Sequence, residues 1–266
     1  MSRTIAIIGF PWDEHSSHQR GAAEAPPVIR RSLFSGASNM WSETGIDVGT
    51  NGTMTDAGDL DLYSSDGVRE RIEEAISRLL DQGLTPLSLG GDHAVSYPIV
   101  RAMRKAHPKL TVVQFDAHPD LYEEFDGDRY SHACPFARIM EEGLADRLIQ
   151  IGIRTMNGHQ RAQAERFGVE VIEMSAWDGT LSLSFDSPVY ISVDVDVFDP
   201  AFAPGVSHRE PGGLSVRDVI RTLHGFRATI VGADVVELNP RNDPLGVTAT
   251  VCAKLVKELA GKMRGA

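Results

Sequence analysis

Carboxylate and imidazole side chains follow four apolar stretches of the sequence, in short polar motifs. The motifs are Gly90-Gly-Asp-His93, Asp116-Ala-His-Pro-Asp120, Asp194-Val-Asp-Val-Phe-Asp199 and Glu237-Leu-Asn239. Several carboxylates placed together without a cation repel one another, and burying them unpaired is very costly. Carboxylate oxygens and imidazole nitrogens are ligands for divalent metals, so the motifs predict a metal centre.

The spacing within two of the motifs favours side chains that share a face. Side chains alternate along an extended chain, so Asp116, His118 and Asp120 point the same way if the chain stays extended. The same rule groups Asp194 with Asp196. Together with the imidazole of the first motif these groups are too many for one ion, whereas two ions bridged by shared carboxylates would use them all. A single such motif is also compatible with a surface turn or a helix cap.

Six short apolar runs must position these motifs, and such runs are typical of strands buried on both faces of a parallel sheet. The runs are Thr4–Gly9, Pro86–Leu89, Leu110–Phe115, Leu148–Ile153, Val189–Val193 and Thr229–Val236. Ligands of open α/β sheets bind at the carboxyl ends of the strands. The four motifs are therefore expected to converge on one rim of the sheet.

Amphipathic helical patterns lie between the apolar runs. Apolar residues recur at helical spacing over Val68–Leu80 and again over Val251–Leu259, and Ser215-x-x-Asp218 indicates a helix start. Strands that alternate with helices predict a doubly wound, mainly parallel sheet in a three-layer α/β/α fold. The length suits one domain over residues 1–266. The segment Trp41–Leu62 has no clear period, and we expect an irregular surface segment of unassigned function.

Composition excludes several classes of protein. A formal net charge of -11 argues against a nucleic-acid partner, which would require a basic face. The first apolar run is too short for a membrane span, so no membrane partner is expected. Cys134 and Cys252 are the two cysteines, and they lie far apart in the sequence. They form no disulfide framework, which fits a cytoplasmic protein.

The motifs, in this order, resemble those of the arginase–agmatinase (ureohydrolase) family. The resemblance covers nearly the whole chain and includes the early segment Arg20–Arg30. Within the family, the stretches 130–139, 203–215 and 231–240 look most like plant-type arginases and their bacterial relatives. The resemblance implies an arginase-like fold and hydrolysis of a guanidino C–N bond with release of urea, by water that two metal ions activate.

The family resemblance also implies a role for each matching residue. Asp116 and Asp194 would bridge two divalent ions, for which manganese is expected and nickel, cobalt or zinc are compatible. The full set of metal ligands would be His93, Asp116, Asp120 and Asp194 for one ion, and Asp116, His118, Asp194 and Asp196 for the other. Glu237 would hold the guanidinium, and His132 would be a proton shuttle for the leaving amine. The alternatives are a helix-capping or core-paired Glu237 and a His132 at a helix start without a role.

The identity of the substrate tail rests on the segment after the second motif. Glu123, Glu124, Asp126 and Asp128 would repel a carboxylate and attract an amine, which favours agmatine over L-arginine. Plant-type enzymes with a similar acidic segment act on arginine, and Arg129 offers a partner for a carboxylate. Guanidinobutyrate and other small cationic guanidino compounds stay open as substrates.

Two other functional classes are compatible with parts of the pattern. A non-catalytic member of the family would be indicated by the loss of a ligand or of Glu237, and nothing is missing. An amidohydrolase with a single zinc would not need the pair Asp194 and Asp196 beside two histidines. By analogy with the family fold, we expect a homo-oligomer, a trimer or a hexamer.

The remaining polar residues of the motifs receive supporting roles. Asp92 and Asp199 are expected to cap loops or to support the ligands rather than to bind metal. Six histidines carry no comparable motif and are interpreted as surface or structural residues: His15, His18, His107, His159, His208 and His224.

Overall fold

An eight-stranded sheet in which every pair of neighbours is parallel forms the centre of the described part of the chain. The computed structural model describes residues 4–50, 52–62, 66–179, 181 and 183–265. The strand order is β2-β1-β3-β8-β7-β4-β5-β6. The strands are β1 (Ile5–Gly9), β2 (Met54–Asp59), β3 (Thr85–Leu89), β4 (Thr111–Phe115), β5 (Arg147–Ile153), β6 (Glu170–Glu173), β7 (Val189–Asp194) and β8 (Ile230–Val236).

In the described ranges, seven α-helices cover the two faces of this sheet. They are α1 (Ala25–Leu33), α2 (Val68–Asp81), α3 (Ser96–Ala106), α4 (Pro135–Glu141), α5 (Gly158–Phe167), α6 (Val216–Gly225) and α7 (Val247–Arg264). Alternate residues of β1 enter separate cores: Ile7 packs with apolar residues of α1, α6 and α7, whereas Ala6 packs with those of α2 to α5. The predicted three-layer α/β/α fold with a parallel sheet is confirmed. No helix in the described ranges is long and apolar enough to span a membrane.

The buried strands were predicted and the two edge strands were not. All six predicted runs coincide with strands to within one residue at each end. The prediction of an irregular segment over 41–62 was wrong in part, because Met54–Asp59 pairs with β1 (Asn51 lies outside the described residues). Both missed strands are edge strands with no fully buried residue, so neither needs the apolar residues that identify a strand in a sequence.

The predicted helix signals match the structure. Ser215 caps α6. The Ser215 side chain accepts a hydrogen bond from the Asp218 N–H, and the Asp218 side chain accepts one from the Ser215 N–H. The apolar stripe of the last helix is buried against the sheet, with Leu255 and Leu259 fully inaccessible to solvent. Local capping and periodicity therefore suffice to place both of these helices.

Gly91, in the turn after β3, has no room for a side chain, and this gives a first prediction. A Cβ atom there would lie 1.8 Å from the backbone oxygen of Trp12. Because the clash is with main chain, Gly91→Ala is expected to lower the free energy of unfolding by about 3 kcal/mol, the upper end of ordinary overpacking. Urea denaturation measures this change. Gly158→Ala is the control, since nothing lies within 4 Å of that Cβ position; equal denaturation midpoints for the two variants would contradict the prediction.

Candidate metal centre and cavity

The four polar motifs meet at one edge of the sheet, as the sequence predicts. They follow β3, β8, β7 and β4, which are consecutive neighbours in the strand order. Parallel strands present their carboxyl ends on the same side, so the side chains that follow them are brought together. At this point the order of the strands in the sheet departs from their order in the sequence. β3 and β4 are separated in space by β8 and β7, the two strands that come last in the sequence.

The first cluster surrounds Nδ1 of His93, which is buried. Oxygens of Asp116 and Asp120 each lie 3.1 Å from this nitrogen, and an oxygen of Asp194 lies at 3.2 Å. The second cluster is centred on His118. Its Nδ1 lies 2.9 Å from an oxygen of Asp196 and 3.6 Å from one of Asp116, so Asp116 belongs to both clusters.

Hydrogen bonding on the far side of His93 tests whether a metal ion fits the first cluster. The Ser192 hydroxyl donates to Asp234 at 2.7 Å, so its oxygen is left to accept from Nε2 of His93 at 2.9 Å. With its proton on Nε2, the imidazole turns the lone pair of Nδ1 towards three carboxylates. Among the described residues Nδ1 has no hydrogen-bond partner. A nitrogen lone pair converging with carboxylate oxygens is the donor set of a divalent cation.

Electrostatics supports the same interpretation. Burial raises the pKa of Asp194 well above its usual range, and the neighbouring carboxylates of Asp196 and Asp116 raise it further. Such crowding opposes ionisation unless positive charge is supplied, and a bound divalent ion reverses that effect. The donor set therefore fits metal ions better than it fits a buried core without them.

Turns, rather than an extended chain, bring the ligands together. β4 ends at Phe115, and Oδ1 of Asp116 accepts a hydrogen bond from the His118 N–H. Asp120 has a φ of 51°, in the left-handed region. After β7 the chain enters a 3-10 turn in which the Asp196 N–H donates to Asp194 at 2.8 Å. The expectation of an extended chain was wrong here, because backbone groups near the carboxylates form turns with them.

Glu237 lies beside the metal clusters at the end of β8, also in a left-handed conformation with a φ of 67°. Its Oε1 accepts from the His93 N–H at 2.9 Å and lies 2.8 Å from Nδ1 of His132. Burial raises the pKa of Glu237, but the facing His132 outweighs it, and the net shift is downwards. Glu237 is therefore ionised, and it lines the cavity described below.

The structure pairs His132 with Glu237 on one side and with Ser17 on the other. Burial lowers the pKa of His132, but the Glu237 carboxylate more than offsets this and raises the pKa to about 9. On the opposite side the Ser17 N–H donates to Nε2 at 3.1 Å, and the Ser17 hydroxyl lies 2.8 Å from it. The Ser17 N–H opposes a proton on Nε2, whereas Glu237 favours a charged ring. With a pKa of about 9 the ring is charged near neutral pH and can act as an acid.

A cavity of about 260 Å³ opens above these groups. Its floor is acidic and its walls are mixed polar and aromatic. The residues that line it are Ser17, His118, Asp120, Tyr122, Phe125, His132, Ala133, Thr155, Gln160, Asp194, Asp196, His208, Glu210 and Glu237.

Several cavity residues were not recognised in the sequence, among them His208, Glu210 and Ser17. His208, expected to be a surface or structural residue, packs its ring 5.8 Å from His118 and 5.4 Å from His132. Glu210 lies two residues further along the same stretch, which the family resemblance singles out without assigning roles. Ser17 lies in the loop after β1, far in sequence from the motifs. No local sequence pattern predicts that it lines the cavity.

The acidic segment after Asp120 does not face the cavity, and this corrects the prediction that its charges select the substrate tail. Only Tyr122 and Phe125 of this segment line the cavity. Arg138 donates to the backbone oxygens of Glu123 and Arg129, and the side chains of Glu123, Glu124 and Asp126 are exposed. Arg129 itself pairs with Glu141 at 3.0 Å, so it is not placed to receive a substrate carboxylate.

Two aspartates of the motifs act as predicted for loop capping. Asp92 accepts from the Ala94 N–H at the start of the turn that carries His93, and from the His15 N–H. Asp199 accepts from the N–H groups of Ala201 and Gly212. Both carboxylates hold backbone segments of the site in place.

Comparison with known proteins gives a consistent result over the whole chain. A family model described as the arginase family matches residues 3–261. Arginase 1, mitochondrial, of Arabidopsis thaliana is 45% identical over 98% of this chain and 81% of its own length. Guanidinopropionase of Pseudomonas aeruginosa is 38% identical over 96% of this chain and 85% of its own. The solved structure of arginase from Medicago truncatula superposes with a TM-score of 0.93 at 41% identity, over 98% of this chain and 88% of that one.

Proposed function

Because the chain belongs to the arginase family of ureohydrolases, which cleave guanidino C–N bonds, we propose that it hydrolyses L-arginine to L-ornithine and urea. The observation that carries this proposal is the placement of ionised Glu237 beside two His/Asp clusters that share Asp116. A planar cation held by Glu237 lies within reach of both clusters. The relatives named as arginases support L-arginine rather than agmatine, and the outward turn of the acidic segment removes the main argument for agmatine.

We assign two divalent ions, manganese by family expectation, to the clusters. His93, Asp116, Asp120 and Asp194 would hold one ion, and Asp116, His118, Asp194 and Asp196 the other. The bridging role of Asp194 and the part of Asp120 belong to this proposal. When bound, such ions lower the pKa of water so that it attacks carbon near neutral pH. Nickel, cobalt and zinc are compatible with the same oxygen and nitrogen ligands.

The protein's own residues bind and orient the guanidinium. One oxygen of Glu237 is engaged by the His93 N–H and His132, which fixes the carboxylate and leaves its other oxygen for the substrate. A carboxylate accepts charge-assisted hydrogen bonds from a guanidinium in a fixed plane. Glu237 therefore sets the angle at which the guanidinium carbon faces the metal clusters.

His132 handles the proton that the reaction must deliver. Water adds to the guanidinium carbon, and the bond from that carbon to the chain nitrogen breaks. The leaving nitrogen must gain a proton to depart as an amine. A charged His132, stabilised by Glu237, is the acid in the cavity wall that supplies this proton.

His132→Ala is expected to lower kcat by about 10²–10⁴-fold, the usual contribution of one general acid. Metal content is expected to stay at two ions per chain, since His132 contacts none of the assigned ligands among the hydrogen bonds described. Steady-state kinetics and elemental analysis measure the two quantities. The control is His224→Asn in α6, whose histidine pairs with Glu258 outside the cavity. Full turnover of the His132 variant would assign proton delivery to water.

A urea-release assay after manganese loading tests the proposed reaction. The substrates are L-arginine, agmatine, 4-guanidinobutyrate and 3-guanidinopropionate, and we expect L-arginine to give the highest kcat/KM. A higher value for agmatine would overturn the choice of substrate. No urea from any of the four would overturn the proposed activity itself.

The proposal also covers the assembly and the location of the chain. Single-domain organisation, a trimer or hexamer, and a cytoplasmic location are proposed from the sequence and the family. The relative from Arabidopsis thaliana is named as mitochondrial, which concerns that protein. Mass measurement in solution is expected to give three or six chains per particle, and a monomer at micromolar concentration would contradict it.

A further inference from the structure

We propose that Glu210 receives the amino group at the tail of the substrate and thereby selects guanidino compounds that carry an amine. The inference rests on the proposed function, since it assumes that the guanidinium occupies the end of the cavity at Glu237. It concerns a residue in the cavity wall that belongs to neither metal cluster.

The carboxylates that line the cavity can be separated by their partners. Asp120, Asp194 and Asp196 face the histidines of the metal clusters, and Glu237 pairs with His132. Glu210 is the remaining carboxylate among the described lining residues, and no hydrogen bond to its side chain is found there. Its nearest ionisable partner is Nε2 of His118 at 3.9 Å, beyond hydrogen-bonding distance, and its side chain is 40% exposed.

No lysine or arginine lines the cavity in the described part of the chain, so no fixed positive charge within the cavity neutralises Glu210. His208, two residues before Glu210, lines the same cavity. A carboxylate in this setting gains most from a cationic partner that arrives with the ligand. A primary ammonium group meets that requirement.

The backbone of Glu210 is held rigidly although its side chain is partly exposed. Arg154, which follows β5, donates to the Glu210 backbone oxygen from Nε at 3.0 Å and from Nη2 at 2.7 Å. The same Nη2 donates to the backbone oxygen of Asp196 at 2.7 Å. Gly213 packs closely on this guanidinium, since a Cβ there would lie 2.7 Å from Nη2. One guanidinium thus fixes the distance between the proposed metal ligands and the carboxylate.

This arrangement discriminates by charge at the tail. An amine attached to a guanidino chain would pair with Glu210, whereas a guanidino acid without an amine would bring only a second negative charge towards it. Repulsion between like charges in a partly enclosed cavity disfavours such acids. Glu210 therefore separates amino-acid and amine substrates from simple guanidino acids.

The test compares Glu210→Gln with wild type on L-arginine and on its analogue in which a hydroxyl replaces the α-amine. We expect kcat/KM for L-arginine to fall by about 10–100-fold, the range of one charge-assisted hydrogen bond. The value for the hydroxyl analogue is expected to change by less than about threefold, and that for 3-guanidinopropionate to rise. Glu123→Gln, in the outward-facing segment, is the control that removes one charge without changing any of these ratios.

Two further measurements distinguish this role from others. Elemental analysis is expected to give the same metal content in both proteins; loss of metal with equal falls for all substrates would show that Glu210 acts through His118, which overturns the proposal. Calorimetric binding of the product L-ornithine is expected to weaken by about 10–100-fold in Glu210→Gln. Unchanged binding overturns the inference even if the protein releases urea, whereas failure to release urea from any substrate tests the proposed function separately.

Discussion

Asp116→Ala is expected to remove both metal ions and to reduce urea release by at least about 10³-fold, because the ions supply several kcal/mol of stabilisation to the reaction. Asp116 is the carboxylate common to the two clusters, with one oxygen near each histidine. Its loss takes one anionic ligand from each ion and removes one of the two proposed bridging carboxylates. Elemental analysis of the purified variant measures the loss directly.

Asp196→Ala is the matched comparison, because this residue contacts His118 and not His93. It is expected to weaken one ion preferentially and to leave close to one ion per chain. Two ions retained in both variants would refute the assignment of ligands. One ion per chain in the wild type would instead favour the single-zinc amidohydrolase.

Glu237→Gln is expected to reduce kcat/KM by about 10²–10³-fold, equivalent to about 3–4 kcal/mol, the range for truncating a buried charge pair. Glutamine keeps the shape and the bond from the His93 N–H but removes the charge that faces the guanidinium. Both metal ions are expected to remain bound. Kinetics with L-arginine and metal analysis check the two parts, and Glu165→Gln on the exposed side of α5 is the control.

The same substitution has a consequence for the pH profile. Glu237 raises the pKa of His132 to about 9, so in the wild type the acid is present below that pH and is lost as the pH rises through it. Without the carboxylate the pKa of His132 falls, and the alkaline decline of kcat moves to lower pH. An unshifted decline in Glu237→Gln would exclude His132 as the group responsible.

Burial explains which strands a single sequence reveals. β4 and β7 are inaccessible on both faces, so most of their residues are apolar, with Gln114 and Ser192 as buried polar exceptions, and the two strands stand out from their surroundings. β2 and β6 face solvent at the sheet edges, and nothing in packing requires an apolar residue there. The sheet centre, which positions the ligands, was predictable for that reason.

Burial also separates the site residues that the sequence predicts from those that it does not. His93, Asp116 and Glu237 follow buried strands, so strand direction alone brings them to one edge. The positive φ angles of Asp120 and Glu237 depend on tertiary contacts, because non-glycine residues seldom adopt them unsupported. Ser17 and Glu210 enter the cavity from loops whose course depends on distant anchors such as Arg154.

The insertion of β8 and β7 between β3 and β4 sets the order in which the protein can assemble. The two strands that carry His93 and Asp116 are successive in the chain, yet their final positions leave a gap that residues 189–236 must fill. Pairings of such high sequence separation form late and slowly in folding. In refolding experiments, recovery of metal affinity is therefore expected to lag behind recovery of helical circular dichroism, and metal ions would stabilise the folded protein without accelerating the collapse that precedes it.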